Sequence, residues 1–331
     1  MIPVRILGTA SVLPGRAVST IELAEKFWPG RDPAEIVART GISSRFWADP
    51  GTTTTSLAIE TLGRALEAAD CPPEEVKRLI LVNCSGGDTV LPATSSLVAG
   101  GLGLRGTCDC MDLSNACSGF MTALDVGARS VATGLYPVAI VVAEVLSPHL
   151  NPEDRRTSVV FGDAGAAVVL GPGRPGEGLL SSWLRNDGVL RGSVNLDRGK
   201  VTIGESCWTP EPTFVSFGVS NAQITQEATD AILLSTQQAL DEAGLVLDDV
   251  RWVLIHQPNG RMYRSIVDQL GVEEDRLVDA VDQVGSIAAA SLPLCLDRLM
   301  TSGRVAPGDH ILLAGVGSGI SYGGMIYRVA P

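Results

Sequence analysis

Residues 65–82 read ALEAADCPPEEVKRLILV, and residues 239–256 read ALDEAGLVLDDVRWVLIH. The two stretches align without a gap. Ala, Leu, an acid, Ala, a pair of acids, Val, a base and an apolar run recur in register. Each copy reads as the end of an amphipathic helix, an acidic turn and a buried strand. A weaker echo runs from Asp112 through Gly134 into PVAIVVA, and again from Asp282 through Gly303 into DHILLAG. Internal similarity at this separation predicts two halves of one architecture. The turn-rich GPGRPGEG (171–178) predicts the joint, with halves at 1–172 and 173–331.

Short β-branched runs alternate with small-residue helical segments along the whole chain. LILVNCS (79–85), AIVVAEV (139–145), SVVFGDAGAAVVLG (158–171), VLIHQ (253–257) and HILLAGVGSG (310–319) are the clearest. Runs apolar on both faces predict central strands covered on both sides, and hence a layered α/β fold.

Composition narrows the function classes. The chain has 331 residues, is 45% hydrophobic and only 19% charged, which suits a large core. Its formal net charge of -12 argues against nucleic acid, whose phosphates require a basic face. A few local arginines can still hold an anion. Seven cysteines show no framework or zinc-like spacing, so reduced thiols in a cytoplasmic protein are expected, without a metal. MIPVRILGTASVLPG lacks a cleavage-like signature, and no apolar run approaches the roughly 18 residues of a membrane span.

SNACSGF (114–120) raises the first chemical question. Cys117 sits among small residues at the start of a segment whose only charges up to Arg129 are Asp125 and Arg129. Such a helix is expected to be buried. A thiol at its N-terminus feels the positive end of the helix dipole and leans toward thiolate. A packing cysteine explains the segment alone equally well. There are only three histidines. His149 lies in a polar loop and His310 in a turn before a strand. His256 ends a strand within IHQPNG, three residues before Asn259, where side-chain donors can face a reacting carbonyl. A capped turn histidine is the alternative. GVGSGISYGG (315–324) lacks the Lys-Ser/Thr of a phosphate loop. Its backbone N–H groups suit half of an oxyanion hole, and a tight turn explains the glycines as well. The echo places Cys117 and Ser286 at matching helix starts, so Cys117, Ser286 and His256 are expected near a pseudo-twofold axis.

Taken together, RTGISSR (39–45), SNACSGF (114–120), FGDAGAAVVL (161–170), HQPN (256–259), VDQVGSIAAASLP (281–293) and GSGISYG (317–323) resemble the β-ketoacyl-acyl-carrier-protein synthase III family of the thiolase-like superfamily. The resemblance covers nearly the whole chain, in the family's order and spacing. It implies a duplicated five-layer αβαβα fold. Residue by residue, it implies Cys117 as acyl-accepting nucleophile and His256 as catalytic histidine. Gly319 and the nucleophile's own N–H would form the oxyanion hole. Asn259 matches an amide near the site. Arg39 and Arg155 match arginines of the coenzyme A channel, and Arg261 a residue that docks carrier protein. Leu91 falls where a partner subunit closes the acyl pocket, so a homodimer is implied.

Two positions depart from the family pattern. Ser286 replaces the second catalytic asparagine, and losing an oxyanion donor typically costs about 10²–10³ in rate. Glu35 stands where a tryptophan often stacks on adenine, which shifts expectation from coenzyme A toward carrier-bound acyl groups. The implied activity is ping-pong transfer of an acyl group from a carrier-protein or coenzyme A thioester through Cys117 to a second substrate. Carbon–carbon condensation in a specialised metabolite pathway is expected first. O- or N-acylation without decarboxylation remains open, as does a non-catalytic partner subunit, which the presence of both Cys117 and His256 disfavours. No cofactor is expected beyond the thioester substrate. The pocket walls are expected within 182–220.

Overall fold

The computed structural model describes residues 1–89, 91–190, 192, 194–196 and 214–331. The runs that are apolar on both faces become the inner strands of two sheets. In chain order the first half contains β1 (Arg5–Val12), β2 (Arg16–Ser19), α1 (Thr20–Phe27), α2 (Pro33–Thr40), β3 (Ser44–Trp47), α3 (Thr54–Ala68), β4 (Arg78–Val82), α4 (Thr94–Gly101), β5 (Asp109–Leu113), α5 (Gly119–Ala132), β6 (Val138–Glu144), α6 (Arg155–Ser158) and β7 (Ala164–Gly171). The second contains β8 (Gly178–Asn186), β9 (Val194–Asn195), β10 (Ser216–Phe217), α7 (Asn221–Ala243), β11 (Trp252–Ile255), α8 (Gly260–Leu270), α9 (Val281–Val284), α10 (Ser291–Thr301), β12 (His310–Gly317) and β13 (Ser321–Arg328).

The duplicated sequence folds into duplicated topology. One sheet has the order β1-β7-β6-β4-β5, and the other, read outward from β8, has β8-β13-β12-β11. In both, the second strand runs antiparallel to its two neighbours, and the inner strands beyond it are parallel. The place of β5 in the second sheet holds a single parallel bridge, Val253 to Leu277.

Strand alternation then sorts side chains into layers. Ile80 and Val82 of β4 pack inward with Leu254, Ile311 and Leu313 of the other sheet, around Phe120, Met121 and Leu124 of α5 and Leu292, Leu296 and Leu299 of α10. Leu79 and Leu81 pack outward against Leu57, Leu62 and Leu66 of α3. Val253, Ile255 and Leu312 pack outward against Ile232 of α7 and Ile266 of α8. The result is helix, sheet, helix, sheet, helix: the expected five layers, with α5 and α10 buried in the middle. Each buried aliphatic side chain contributes about 1.5–3 kcal/mol. No helix among the described residues is long and apolar enough to cross a membrane.

One expected strand is shorter than its sequence. SVVFGDAGAAVVLG becomes extended only from Ala164. Before it, Gly162 passes so close to the backbone of Val284 that a side chain would collide with that carbonyl, and Asp163 turns fully inward. Its carboxylate accepts from Ala48 N (2.8 Å), Leu146 N (2.7 Å), Ser147 N (2.8 Å) and Ser147 Oγ (2.5 Å). Burial pushes the Asp163 carboxyl up, and these donors oppose that shift. The residue staples the ends of β3 and β6 to the start of β7. Asp163→Ala strands three backbone donors, each worth about 1–3 kcal/mol. Urea unfolding should therefore show a loss on the order of 3 kcal/mol or more, whereas Asp163→Asn should lose less.

Candidate active site

Parallel strands deliver their C-terminal ends to one side of a sheet, where ligand sites form. Here the ends of β5, β4 and β6 meet the ends of β11 and β12. Cys117 lies in the 3-10 turn Ala116–Ser118, directly ahead of α5. Ala116 adopts φ 45°, and Ala288, at the start of the equivalent turn Ala288–Ala290, adopts φ 46°. The duplication thus preserves even a rare backbone conformation. In this register the counterpart of Cys117 is Ala289, and Ser286 precedes the turn rather than starting the helix.

The second half locks the nucleophile turn. Ser118 Oγ donates to Ser321 O at 2.8 Å. Ser321 Oγ donates to Asn115 Oδ1 at 2.6 Å, and Asn115 Nδ2 donates to Thr122 Oγ1 at 2.9 Å. Gly317 closes the contact: a Cβ there would lie 2.8 Å from both Cys117 N and Ser118 N.

His256 follows β11 and is 2% exposed. Its N–H donates to Ala314 O at 2.9 Å. The next residue, Gln257, is held from both ends of its amide: Nε2 donates to Val278 O, and Oε1 accepts from Ala280 N and Val281 N. Buried Nδ1 of His256 has no hydrogen-bond partner. A proton on Nδ1 would be a stranded donor costing about 1–3 kcal/mol, which favours the tautomer protonated on Nε2. Ser286, also 2% exposed, is held by its backbone: its N–H donates to Val160 O, and its carbonyl accepts from Gly162 N.

Cys117, His256 and Ser286 all line one cavity of about 1510 Å³. Asn259, Arg39, Arg155 and Arg261 lie on its wall and mouth. Asn259 Oδ1 accepts from Met262 N at 2.9 Å, capping α8, which leaves both its amide N–H donors for a ligand. Arg39 Nη2 pairs with Glu35 Oε1 at 2.5 Å, one helical turn away. Arg155 and Arg261 are exposed. Gly319 sits between two cavity-lining residues, Ser318 and Ile320. Its φ of 135° suits glycine alone, and its Cβ position faces Asn186 and Ser321. Leu91 is 86% exposed and stands outside this chain's cavity. Val194, Asn195, Leu196, Val215 and Phe217 form part of the wall, within the expected stretch 182–220. Residues 191, 193 and 197–213 of that stretch lie outside the described residues. Among the described residues no group of three His, Cys, Asp or Glu side chains is placed to hold a metal ion.

Two site residues escaped the sequence reading. Cys84 follows β4 and lines the same cavity as Cys117. Glu144 ends β6, is fully buried, accepts from Cys84 N at 3.1 Å and Ala289 N at 3.4 Å, and is pushed up to about 8 by burial. The Cys117 thiol is held well below its ordinary range, most of all by the neighbouring Cys84 thiol and then by His256, against the opposing effect of burial. Burial was written in the apolar runs around Cys84 and Glu144. Their proximity to Cys117 required strand order.

Two family models match the chain. The model for 3-oxoacyl-[acyl-carrier-protein] synthase III matches residues 111–188, and that for the C-terminal part of the same enzyme matches residues 240–329. A β-ketoacyl-[acyl-carrier-protein] synthase III from Rhizorhabdus wittichii is 35% identical over 327 residues, covering 98% of each chain. The crystal structure of 3-oxoacyl-[acyl-carrier-protein] synthase III from Aquifex aeolicus superposes with a TM-score of 0.88 at 28% identity, covering 98% of this chain and 99% of that one. The priming β-ketosynthase of the R1128 polyketide biosynthetic pathway superposes with a TM-score of 0.89 at 30% identity, covering 99% and 96%.

The packing of Gly317 makes a direct prediction. Gly317→Ala should push the nucleophile turn out of place while leaving most of the fold intact. Alkylation of Cys117 by iodoacetamide, followed by peptide mass spectrometry, should slow at least several-fold. An unchanged rate would show that the contact does not position the thiol.

Proposed function

The chain belongs to the 3-oxoacyl-[acyl-carrier-protein] synthase III family of acyl-transferring condensing enzymes, and on that premise we propose that it transfers acyl groups in two stages through Cys117. The convergence of Cys117, His256 and Ser286 on one cavity supports this reading. In the first stage the Cys117 thiolate attacks an acyl thioester carbonyl. The N–H groups of Cys117 and Gly319 receive the oxyanion. Collapse expels the carrier thiolate, which takes a proton from solvent, and leaves the acyl group on Cys117.

In the second stage a carbon nucleophile collects the acyl group. Nε2–H of His256 and the hydroxyl of Ser286 donate to the thioester oxygen of a malonyl-type extender. Loss of carbon dioxide leaves an enolate whose carbon attacks the Cys117 thioester, forming the new carbon–carbon bond and returning the thiolate. His256 acts here as a donor, because its Nδ1 has no partner to share a second proton. Ser286 has a shorter reach than the amide it replaces, so decarboxylation is the slower stage. An alcohol or amine acceptor bypasses that step and would form an ester or amide.

Three further assignments belong to the same proposal. Carrier protein is the preferred donor, because Glu35 occupies Arg39 and places an acid where nucleotide phosphates would approach. The pair is exposed, so its effect is modest. A second copy of the chain brings Leu91 to the acyl pocket, in keeping with its 86% exposure in the single chain. The altered donor at Ser286, together with similarity to a polyketide-priming ketosynthase, supports a role in specialised metabolite synthesis.

Two measurements test the chemistry. Incubation with an acyl thioester should add one acyl mass to the intact protein, and Cys117→Ala should abolish the adduct; an adduct surviving that change would refute the nucleophile. Ser286→Asn should raise decarboxylation of a malonyl thioester by ten-fold or more, within the about 10²–10³ attached to a single oxyanion donor. Equal rates in the two proteins would show that Ser286 does not limit the second stage.

A further inference from the structure

A buried cation sits behind the segment that carries Ser286. Arg45 of β3 is 0% exposed, and none of the ion pairs among the described residues includes it. Burial lowers its guanidinium to about 10, which leaves it charged near neutrality. A buried charge without a counter-ion is costly, so its hydrogen bonds must offset that cost. Nη1 donates to Val18 O at 3.0 Å. Nη2 donates to Thr20 Oγ1 at 2.9 Å and to Val159 O at 2.6 Å. Nε has no partner. One planar fork thus joins β2, the start of α1 and the run before β7, which the single ammonium of a lysine could not do.

The carbonyl next to Val159 holds Ser286. Ser286 N–H donates to Val160 O at 2.8 Å, and Ser286 O accepts from Gly162 N at 3.0 Å, so Ser286 pairs with Phe161 as an isolated parallel bridge. Arg45 packs against that bridge. A Cβ on either Gly162 or Gly285 would lie 3.1 Å from Arg45 Cβ. The two residues before Arg45 hold the far side. Ser43 N donates to Asp282 O at 2.8 Å, Ser43 Oγ to Asp282 Oδ1 at 2.6 Å, and Ser44 Oγ to Gln283 O at 2.8 Å. One stretch of chain, 43–45, therefore holds both sides of the bridge. Val159, Val160, Phe161 and Ser286 all line the cavity. The nucleophile turn is fixed by other groups, Ser321 and Gly317.

We propose that Arg45 is a positioning residue for the second stage of acyl transfer: its guanidinium fixes Val159 and so sets the bridge that places Ser286 toward the extender thioester. The inference rests on Ser286 being a donor in that stage. Arg45 is wholly buried and acts only through the segment it holds. Because Cys117 is positioned by a separate set of contacts, loss of Arg45 slows the second stage and spares the first.

The test measures the two stages separately in wild type, Arg45→Lys, Arg45→Gln, Ser286→Ala and the Arg45→Lys/Ser286→Ala double variant. The first stage is the rate of acyl adduct formation on Cys117, read by intact mass. The second is the rate of decarboxylation of a malonyl thioester. Both Arg45 variants should acylate within about two-fold of wild type and decarboxylate about ten-fold more slowly, the scale of a misplaced group. Ser286→Ala should decarboxylate at least about ten-fold more slowly. The double variant should be little slower than Ser286→Ala alone, because residues acting through one contact do not add. Decarboxylation at the wild-type rate in Arg45→Lys and Arg45→Gln overturns the proposal. So does an equal loss in both stages, which would make Arg45 a general structural residue, and so do losses that multiply in the double variant. Should neither Arg45 variant fold, Thr20→Val, which removes one acceptor of the fork, decides by the same comparison of stages. A Ser286→Ala protein as fast as wild type, or wild type without decarboxylation, refutes the donor reading, and the proposal falls with it. A slow Ser286→Ala beside unaffected Arg45 variants refutes the role of Arg45 alone.

Discussion

The approach of Gly317 to the backbone N–H groups of Cys117 and Ser118, 2.8 Å from a notional Cβ to each, is the contact on which the site depends. It brings the end of β12 in one half against the nucleophile turn of the other. No side chain fits between them. From that contact the neighbours follow: Ser118 reaches Ser321, Ser321 reaches Asn115, and the nucleophile turn is fixed by groups more than 200 residues away in the chain. A reactive thiol needs such rigidity, because a misplacement of an ångström can cost a large part of the rate.

Buried polar groups perform the same service elsewhere. Asp163 gathers the ends of three strands. Asp297 on α10 accepts from Thr9 at 2.7 Å and Ser11 at 2.6 Å, tying the central helix of the second half to β1 of the first. Glu144 bridges Cys84 and Ala289 across the same boundary. Each removes a carboxyl group from water and is tolerable because backbone or hydroxyl donors surround it. They make the two halves one body: the central apolar cluster draws on both sheets and both middle helices.

Much of this was legible in the residues. The paired copies at 65–82 and 239–256 became α3 with β4 and α7 with β11, because helix and strand periodicities are local. Cys117, His256 and Ser286 stood out by small neighbours, a strand end and a resemblance, and they share one cavity. Asn259 was read as a donor near the reaction, and its oxygen also caps α8, which only the structure shows. The run 158–171 read as one strand, yet it turns away before Ala164, because Gly162 must pass Val284. Cys84 was passed over because nothing in LVNCS marks a thiol beside a nucleophile 33 positions later. Only the parallel pairing of β4 with β5 brings both to one cavity.

The sequence by itself determined the layered duplicated fold, the buried helix behind Cys117 and the family resemblance. These depend on periodicity and on motifs short enough to be read in one stretch. Tertiary structure alone decided which atoms meet: the Gly317 contact, the unpartnered Nδ1 of His256, the bridge from Glu144 to Cys84 and Ala289, and the presence of Cys84 in the cavity of Cys117. Strand order and register set those meetings, and both come from long-range packing of faces that look alike in the chain.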